Sequence, residues 1–416
     1  MNFRSALLRL LCMSLSCVIM LTANAWSARF VAQRGLNLDI WTTWPGQERW
    51  DEEDVLAHFP EWRRNAGAEQ LSGLREAGFD FVRMTVDPSI FLQGWGTPRT
   101  DRLLTETMTA VAQLRAAGLK VIVDLHLLPS DIRDVGTIQV MEKPELFDKY
   151  LELVAVMAKA LSNEDPETVA LELMNEPVID CGATMFPKWP GMLKRLHGAA
   201  REAASGLTLV LSGGCWSSAA GLDAVDPTLV ADDNVIWTFH NYEPFLLTHQ
   251  GADWTGDALS YVQDLPYPPD RFGDADLRER LAEGRKRIEN EAPAERRAEL
   301  IRQFDNLAGV LTPPKRLRDQ MEAPFDLARD WAKRNDIPAN RILLGEFGMI
   351  RQEYGKTFKV PSEWRAAYLK DVVRIAEDRG FAWALWSWGG AFGITIDDES
   401  RELDPILLEG LGLASQ

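Results

Sequence analysis

Eight short apolar runs recur along the chain, each bounded by turn-forming residues and most followed by an amphipathic stretch with helical spacing. Several runs, such as VIVDL, LTLVL and ILLG, are apolar on both faces, which is typical of parallel strands buried between a barrel interior and an outer helical layer. The predicted strands cover Gly35 to Ile40, Phe79 to Met84, Lys120 to His126, Val169 to Met174, Leu207 to Ser212, Val235 to His240, Ile342 to Phe347 and Phe381 to Trp388.

Amphipathic stretches between these strands predict helices, among them Ala68 to Ala77, Asp101 to Ala117, Pro144 to Leu161 and Trp364 to Arg379. An alternating series of eight strands and helices fits an α/β fold, a single (β/α)8 barrel, which forms one domain despite a length of 416 residues. Two smaller domains are the alternative, and the regular alternation favours the barrel.

The interval between the sixth and seventh strands, Glu243 to Arg341, is too long for one helix. It begins with a loop rich in proline and aspartate, LPYPPDRFGDAD, and continues as a charged helical stretch from Leu277 to Leu307. We therefore predict a long helical insertion. Its first part should emerge where barrel enzymes hold their active sites and form a wall or lid, while its later helices pack outside the barrel.

The N-terminal segment has the pattern of a signal peptide. Basic residues precede an apolar run from Leu10 to Leu21, and small residues follow it at Ala23, Ala25 and Ala28. Cleavage after Ala25 would remove residues 1–25 and direct the mature chain, whose barrel domain is predicted at residues 29–416, to the periplasm or the exterior. An uncleaved membrane anchor is the alternative, but the run is shorter than the ~20 residues that a membrane span needs.

Composition limits the possible partners. Hydrophobic residues make up 46% of the chain, enough for a large core, and 45 Lys and Arg against 62 Asp and Glu give a net charge of −17. Such a field repels polyanions, so we expect no nucleic-acid partner. We also expect no membrane contact after leader removal, and a monomer. Cys181 and Cys215, which lie outside the leader, could form a disulfide, although two cysteines make no disulfide framework.

Polar and aromatic residues follow the predicted strands at the barrel end where such enzymes do their chemistry. Because these strand ends meet at one mouth, we expect the side chains to share one cavity. They are Arg83, His126, Asn175, Glu176, His240, Tyr242, Glu346, Trp386 and Trp388.

Two carboxyl groups facing each other across a barrel mouth suit cleavage of a glycosidic bond. One must protonate the departing oxygen, and the other must attack the anomeric carbon or activate water. Arg83 beside a carboxylate would keep it ionised, and Tyr242 could donate to the attacking carboxylate. Asn175 could bind a sugar 2-hydroxyl. The other side chains would bind hydroxyls, tune the acid or support a sugar ring: His126, His240 and Trp386.

Two other chemistries are disfavoured. A metal site built from His126, His240 and Glu176 lacks the close His spacing of metal-binding motifs. Ser212 precedes two glycines but lies outside the Gly-x-Ser-x-Gly turn of serine hydrolases.

In order along the chain, VRMTVD, VIVDLH, LELMNEP, HNY, LLGEFG and ALWSW resemble the motifs of glycoside hydrolase family 5, the cellulase family. The resemblance covers all eight strands and implies a retaining hydrolase of β-linked polysaccharide that needs no metal or other cofactor. It implies that Glu176 is the acid/base and Glu346 the nucleophile. It also implies a site completed by Arg83, His126, Asn175, His240, Tyr242 and Trp386.

The resemblance is to secreted bacterial endoglucanases, so we expect an endo-β-1,4-glucanase whose catalytic domain is residues 29–416. The alternatives are a β-mannanase, a β-1,3-glucanase, an exopolysaccharide-processing glycanase, a catalytically silent glycan-binding barrel and a structural envelope protein. Three tryptophans on helical or strand-interior patterns should be core: Trp331, Trp364 and Trp383. Others lie on or beside predicted loops, where they could stack on sugars: Trp41, Trp44, Trp95, Trp216, Trp254 and Trp388.

Overall fold

A closed barrel of eight parallel strands forms the centre of the molecule. The computed structural model describes residues 29–42, 47–50, 67–128, 135–182, 185, 187–311 and 313–413, so the predicted signal peptide and Trp44 lie outside the described residues. Each strand pairs with the next, and the last pairs with the first, which confirms the predicted (β/α)8 barrel. The strands are β1 Arg34–Thr42, β2 Phe81–Val86, β3 Lys120–Leu125, β4 Val169–Glu172, β5 Thr208–Ser212, β6 Val235–His240, β7 Ile342–Phe347 and β8 Ala382–Leu385.

Helices surround the barrel and cover the outer faces of its strands. Among the described residues, none is long and apolar enough to cross a bilayer. The helices are α1 Ala68–Glu76, α2 Ser89–Gln93, α3 Pro98–Ala116, α4 Thr137–Glu142, α5 Pro144–Leu161, α6 Trp189–Ala203, α7 Gly214–Ser217, α8 Ala219–Asp223, α9 Phe245–Thr248, α10 Asp274–Glu291, α11 Arg297–Ala308, α12 Pro314–Arg334, α13 Ser362–Glu377 and α14 Pro405–Gly410.

Two apolar layers hold the fold together. The larger lies between the strands and the helices, and the smaller fills one end of the barrel interior. In the smaller layer the Phe81 ring lies against Gly35, where a Cβ atom would approach a ring atom to 2.2 Å, so only glycine fits there. Because apolar side chains fill this end, the polar interior residues are confined to the other end. The smaller layer comprises Phe30, Ala32, Phe81, Ile122, Ala170, Val210, Ile236, Leu343, Ala382 and Ala384.

The segment between β6 and β7 contains helices α9 to α12 and a 3-10 turn, Ala258–Tyr261. The predicted helical stretch from Leu277 to Leu307 is two helices rather than one. Helix α10 ends at Glu291 just before Pro293, which has no backbone N–H to continue the helical hydrogen bonds. Helix α12 then packs beside α13 and leads into β7, so the insertion proper precedes it.

Candidate active site

Alternation along the strands places a layer of polar side chains directly above the apolar end of the barrel. On β2, for example, Phe81 belongs to the apolar layer and Arg83, two residues later, points to the same interior one level higher. Asp124 on β3 and Glu172 on β4 occupy the same level, and all three side chains are fully buried. Such burial of charge is tolerated only because the charges pair with one another.

The Arg83 guanidinium connects most of this polar layer. It donates two hydrogen bonds to Glu172, at 2.7 and 2.9 Å, and one to Oε1 of Glu346 at 2.7 Å. It also donates to the side-chain oxygens of Asn37 at 3.0 Å and Asn175 at 2.8 Å. It also pairs with Asp124 on β3 at 3.0 Å, so its planar set of donors holds groups from β1, β3, β4 and β7 together.

Glu346 reaches the interior through an irregularity in β7. The pairing register with β6 shifts between Phe239 and His240, and both Gly345 and Glu346 face the interior although strict alternation would turn one of them outward. Glu346 is 4% exposed, and its second oxygen accepts a hydrogen bond from the Tyr242 hydroxyl at 2.9 Å. Each oxygen of Glu346 therefore accepts a hydrogen bond, one from Arg83 and the other from Tyr242.

Glu176 lies in a different environment, just beyond the end of β4. Burial raises the pKa of its carboxyl group to about 7, although its side chain keeps 25% of its surface exposed. Its Oε1 lies 2.8 Å from Nδ1 of His240, and burial lowers the pKa of His240 to about 4, so this imidazole is neutral at pH 7. The backbone of Glu176 has φ of +43°, a strained conformation for a residue with a side chain and one that proteins keep at functional sites.

The two glutamates are close neighbours. One side-chain atom each from Glu176, His240 and Glu346 lie within 4.8 Å of one another. These three residues could together hold a divalent ion. Among the described residues, no other group of three His, Cys, Asp or Glu side chains lies close enough together to do so. Cleavage by a pair of carboxyl groups requires no ion. The expected absence of a cofactor stays a prediction.

His126, Asn175 and Trp386 form a second group of contacts beside Arg83 and Asp124. The His126 ring stacks on the Trp386 ring with centroids 5.5 Å apart and an angle of 16°. Its Nδ1 lies 2.6 Å from Asp124, and its Nε2 lies 3.3 Å from the Asn175 amide. Burial alone would lower the pKa of His126, but the Asp124 carboxylate reverses this and raises the pKa above its usual value.

The structure brings all the predicted site residues except Trp388 into one network of contacts. Sequence reasoning missed three buried members of that network, Asn37, Asp124 and Glu172. Asp124 could have been found, since it precedes His126 by two positions and therefore shares its face of β3. Asn37 and Glu172 meet Arg83 across 46 and 89 residues of sequence, a pairing that no local pattern reveals.

The tryptophan predictions have mixed outcomes. Trp331, Trp364 and Trp383 are buried, as predicted. Trp388 is 4% exposed and the Arg401 guanidinium lies over its ring at 5.6 Å, and its predicted platform role stays a prediction. Platform roles for the remaining loop tryptophans stay predictions; among those whose side chains the structure describes, Trp216 is 48% exposed and Trp254 is 51% exposed.

Cys181 and Cys215 form a disulfide that links the segment after β4 to the turn after β5. Cys215, Trp216 and Ser217 all have positive φ angles, an uncommon run of left-handed residues without glycine. The backbone N–H of Trp216 donates to the carbonyl of Pro177 at 2.8 Å. The exposed Trp216 is thereby held beside the segment that carries Glu176.

The mouth of this (β/α)8 barrel holds a carboxyl group of raised pKa beside an ion-paired carboxylate. These are features of glycoside hydrolases that use a pair of carboxyl groups. Comparison with known proteins agrees. The family model described as cellulase (glycosyl hydrolase family 5) matches residues 41–392. The chain belongs to the cellulase family, glycosyl hydrolase family 5.

Curated relatives and solved structures extend this comparison. Endoglucanase C of Acetivibrio thermocellus is 28% identical over 203 residues, 48% of this chain and 57% of that protein. Endoglucanase 3 of Fibrobacter succinogenes is 22% identical over 383 residues, 86% of this chain and 52% of that protein. The chain thus spans little more than half the length of these relatives.

Solved structures agree on the fold. A hyperthermophilic endo-β-1,4-glucanase solved in complex with substrate superposes with a TM-score of 0.63 at 22% identity, covering 92% of this chain and 97% of that one. Cel5A of Thermotoga maritima in complex with cellobiose gives a TM-score of 0.60 at 22% identity, with the same shares of both chains. At this identity the likeness establishes the barrel fold.

Proposed function

We propose that the chain is a retaining endo-β-1,4-glucanase in which Glu176 is the acid/base and Glu346 the nucleophile. The observation that carries this proposal is the contrast between two carboxyl groups that lie within 4.8 Å of each other. Glu346 is ion-paired with Arg83 at 2.7 Å, whereas burial raises the pKa of Glu176 to about 7. A proton donor of raised pKa so close to an ion-paired carboxylate suits double displacement, in which the two carboxyl groups are roughly 5–5.5 Å apart.

The reaction then has two steps. A carboxylate oxygen of Glu346 attacks the anomeric carbon while Glu176 gives its proton to the departing glycosidic oxygen, which leaves a glycosyl ester on Glu346. The ionised Glu176 next takes a proton from water as that water attacks the same carbon, which releases Glu346 and restores the proton on Glu176. Two inversions at one carbon give net retention of configuration.

The other predicted residues have supporting roles in this scheme. Arg83 and Tyr242 hold Glu346 as a carboxylate and orient it, and neutral His240 orients Glu176. Asn175 offers its amide to a sugar 2-hydroxyl, a hydrogen bond that strengthens in the transition state. Trp386, stacked against His126, presents a ring on which the sugar beside the broken bond can rest. No cofactor takes part.

The choice of β-1,4-glucan as substrate is supported by family membership and by relatives that are themselves endoglucanases. Export is part of the proposal as well. Residues 1–25 would act as a cleaved signal peptide, and the mature chain would act on polysaccharide as a monomer in the periplasm or outside the cell.

The test measures reducing ends released from soluble β-1,4-glucan, β-1,3-glucan and β-mannan by the mature chain, with Glu346→Gln as the control. We expect release from β-1,4-glucan that Glu346→Gln loses by at least about 10³-fold. The first anomer formed, followed by proton NMR on a cello-oligosaccharide, should be β. Release from another polymer alone would change the substrate, an α anomer would exclude Glu346 as nucleophile, and no release from any polymer would favour a silent barrel.

A further inference from the structure

The disulfide joins two stretches of backbone at the barrel mouth, one of which carries the proposed proton donor. We name residues 177–181 the β4 segment and residues 213–218, directly after β5, the β5 turn. Cys181 ends the β4 segment and is bonded to Cys215 in the β5 turn. Because Glu176 immediately precedes the β4 segment, contacts that fix this segment also fix the backbone of the proposed acid/base.

Two backbone hydrogen bonds accompany the disulfide. The N–H of Trp216 donates to the carbonyl of Pro177 at 2.8 Å, and the N–H of Cys215 donates to the carbonyl of Ile179 at 2.7 Å. The two backbones lie directly against each other, since a Cβ atom on Gly214 would be only 2.7 Å from the same Ile179 oxygen. A shift of the β5 turn therefore moves the β4 segment as well.

The β5 turn also contacts His240, the neutral histidine beside Glu176. Ser218, the last residue of the turn, pairs with His240 in an isolated parallel bridge. Nδ1 of His240 lies 2.8 Å from Oε1 of Glu176. The Ser218 hydroxyl accepts a hydrogen bond from the N–H of Gly221 at 3.1 Å and so fixes the start of α8. One turn thus supports the backbone on both sides of the contact between Glu176 and His240.

The proposed nucleophile is oriented by other parts of the barrel. Glu346 accepts hydrogen bonds from Arg83 on β2, at 2.7 Å, and from Tyr242 after β6, at 2.9 Å. A displacement of the β5 turn would therefore act first on the proton donor and leave these two hydrogen bonds in place. This separation makes the effect of the turn distinguishable from a general loss of activity.

The β5 turn and the proposed acid/base both have an unfavourable backbone conformation. Cys215, Trp216 and Ser217 have φ angles of +52°, +59° and +52°, and Glu176 has a φ angle of +43°. Residues with side chains rarely adopt such angles, which persist where the surrounding structure imposes them. The disulfide supplies a covalent part of this constraint, so we expect the β5 turn to relax when the bond is opened.

We propose that the β5 turn, held by the disulfide, positions Glu176 for proton donation, and that opening the disulfide slows protonation of the leaving group. The inference rests on the proposed glucanase function. Cys181 is exposed and Cys215 is partly exposed, so a small dithiol can reach the bond. The two thiols of the dithiol are oxidised to a disulfide, and the sulfur atoms of Cys181 and Cys215 each receive one electron and one proton.

The test uses two aryl β-cellobiosides that differ in how much their leaving groups need a proton. Phenoxide needs protonation as it departs, whereas 2,4-dinitrophenoxide departs as the anion. Reduction of the mature wild-type chain with dithiothreitol should lower kcat/KM for the phenyl glycoside about 10-fold and that for the dinitrophenyl glycoside less than about 2-fold. Reoxidation should restore both values. The cellobiosyl group is common to the two substrates, so a change in sugar binding affects them equally.

Two variants test the same point without reductant. Cys181→Ser with Cys215→Ser should show the ratio of the two kcat/KM values found in the reduced wild-type chain and should not respond to dithiothreitol. Gly214→Ala keeps the disulfide but presses on the Ile179 carbonyl, so the ratio should shift in the same direction. Gly191→Ala on α6 is the matched control, because a Cβ atom there would meet nothing within 4 Å, and it should keep the wild-type ratio.

The remaining outcomes each contradict a defined claim. A wild-type ratio in the reduced chain and the double variant, or an equal loss for both glycosides, would exclude positioning of Glu176 by the disulfide, because an equal loss reports a general effect on the fold. A wild-type ratio in Gly214→Ala would exclude the β5 turn as the element responsible. A wild-type chain that cleaves neither glycoside would overturn the glucanase proposal as well. Cleavage of both, independent of the disulfide, would overturn this inference alone.

Discussion

Glu346 accepts hydrogen bonds from Arg83 and Tyr242, whereas Glu176 faces the neutral imidazole of His240. The two side chains have the same functional group, so the difference between their proposed roles comes from their neighbours. Replacing one of these neighbouring side chains would therefore change the proposed role of a glutamate without changing the glutamate itself.

The raised pKa of Glu176 predicts the alkaline side of the pH profile. A general acid must carry its proton, so kcat/KM for a β-glucan should be independent of Glu176 ionisation below pH about 7 and fall about tenfold per pH unit above it. The measurement is kcat/KM from pH 5 to 9 for the wild-type chain and Glu176→Gln.

The variant supplies its own control. Glu176→Gln should lose activity on the polysaccharide and show no alkaline decline. It should keep more of its rate on aryl β-cellobiosides with acidic leaving groups, which need little protonation. An alkaline decline that persists unchanged in Glu176→Gln would assign that ionisation to another group.

At the scale of a single element, the site depends on the irregularity in strand β7. A Cβ atom on Gly345 would lie 2.4 Å from Oγ1 of Thr238 and 3.0 Å from Nε2 of His240. Only glycine leaves room there, so the irregularity that turns Glu346 inward requires Gly345.

Gly345→Ala should therefore displace His240 or Glu346 and lower kcat/KM by more than about 10-fold, with a loss of roughly 1–3 kcal/mol in the free energy of unfolding. Gly198→Ala on α6 is the matched control, since a Cβ atom there would meet nothing within 4 Å. It should keep full activity and gain up to about 1 kcal/mol. Full activity in Gly345→Ala would show that β7 can shift without moving the site.

The sequence predicted the elements well where the apolar pattern and the hydrogen-bonded ladder coincide, as in β6 and β7, whose bounds are as predicted. It failed where they diverge. The apolar run predicted through Trp388 leaves the β8 ladder at Leu385. Phe79 and Asp80 were predicted to belong to β2, which instead begins at Phe81. Such endings depend on long-range partners that local spacing does not encode.

At the scale of the whole molecule, the disulfide between Cys181 and Cys215 joins two loops of the barrel mouth across 34 residues of sequence. Closing a loop of that length in the unfolded chain corresponds to an upper value of about 4 kcal/mol of stabilisation. The double variant Cys181→Ser with Cys215→Ser should lose about 2–4 kcal/mol of unfolding free energy, measured by denaturant titration.

Reductant provides the comparison for this prediction. It should lower the midpoint of unfolding of the wild-type chain towards that of the double variant and leave the double variant unchanged. Equal midpoints for the wild-type chain and the double variant under oxidising conditions would show that the bridge adds nothing to stability.

The shared guanidinium of Arg83 also has a consequence for how this protein could change over evolutionary time. Because one side chain satisfies groups from four strands, replacing any one of them disturbs the others, and the effects of such replacements should be strongly non-additive. Single mutations in the depth of the barrel will therefore rarely be tolerated, and new chemistry is hard to reach one step at a time. Residues farther out in the loops at the barrel mouth lie outside this shared layer, so changes there can alter the polysaccharide that is bound while the reaction stays the same.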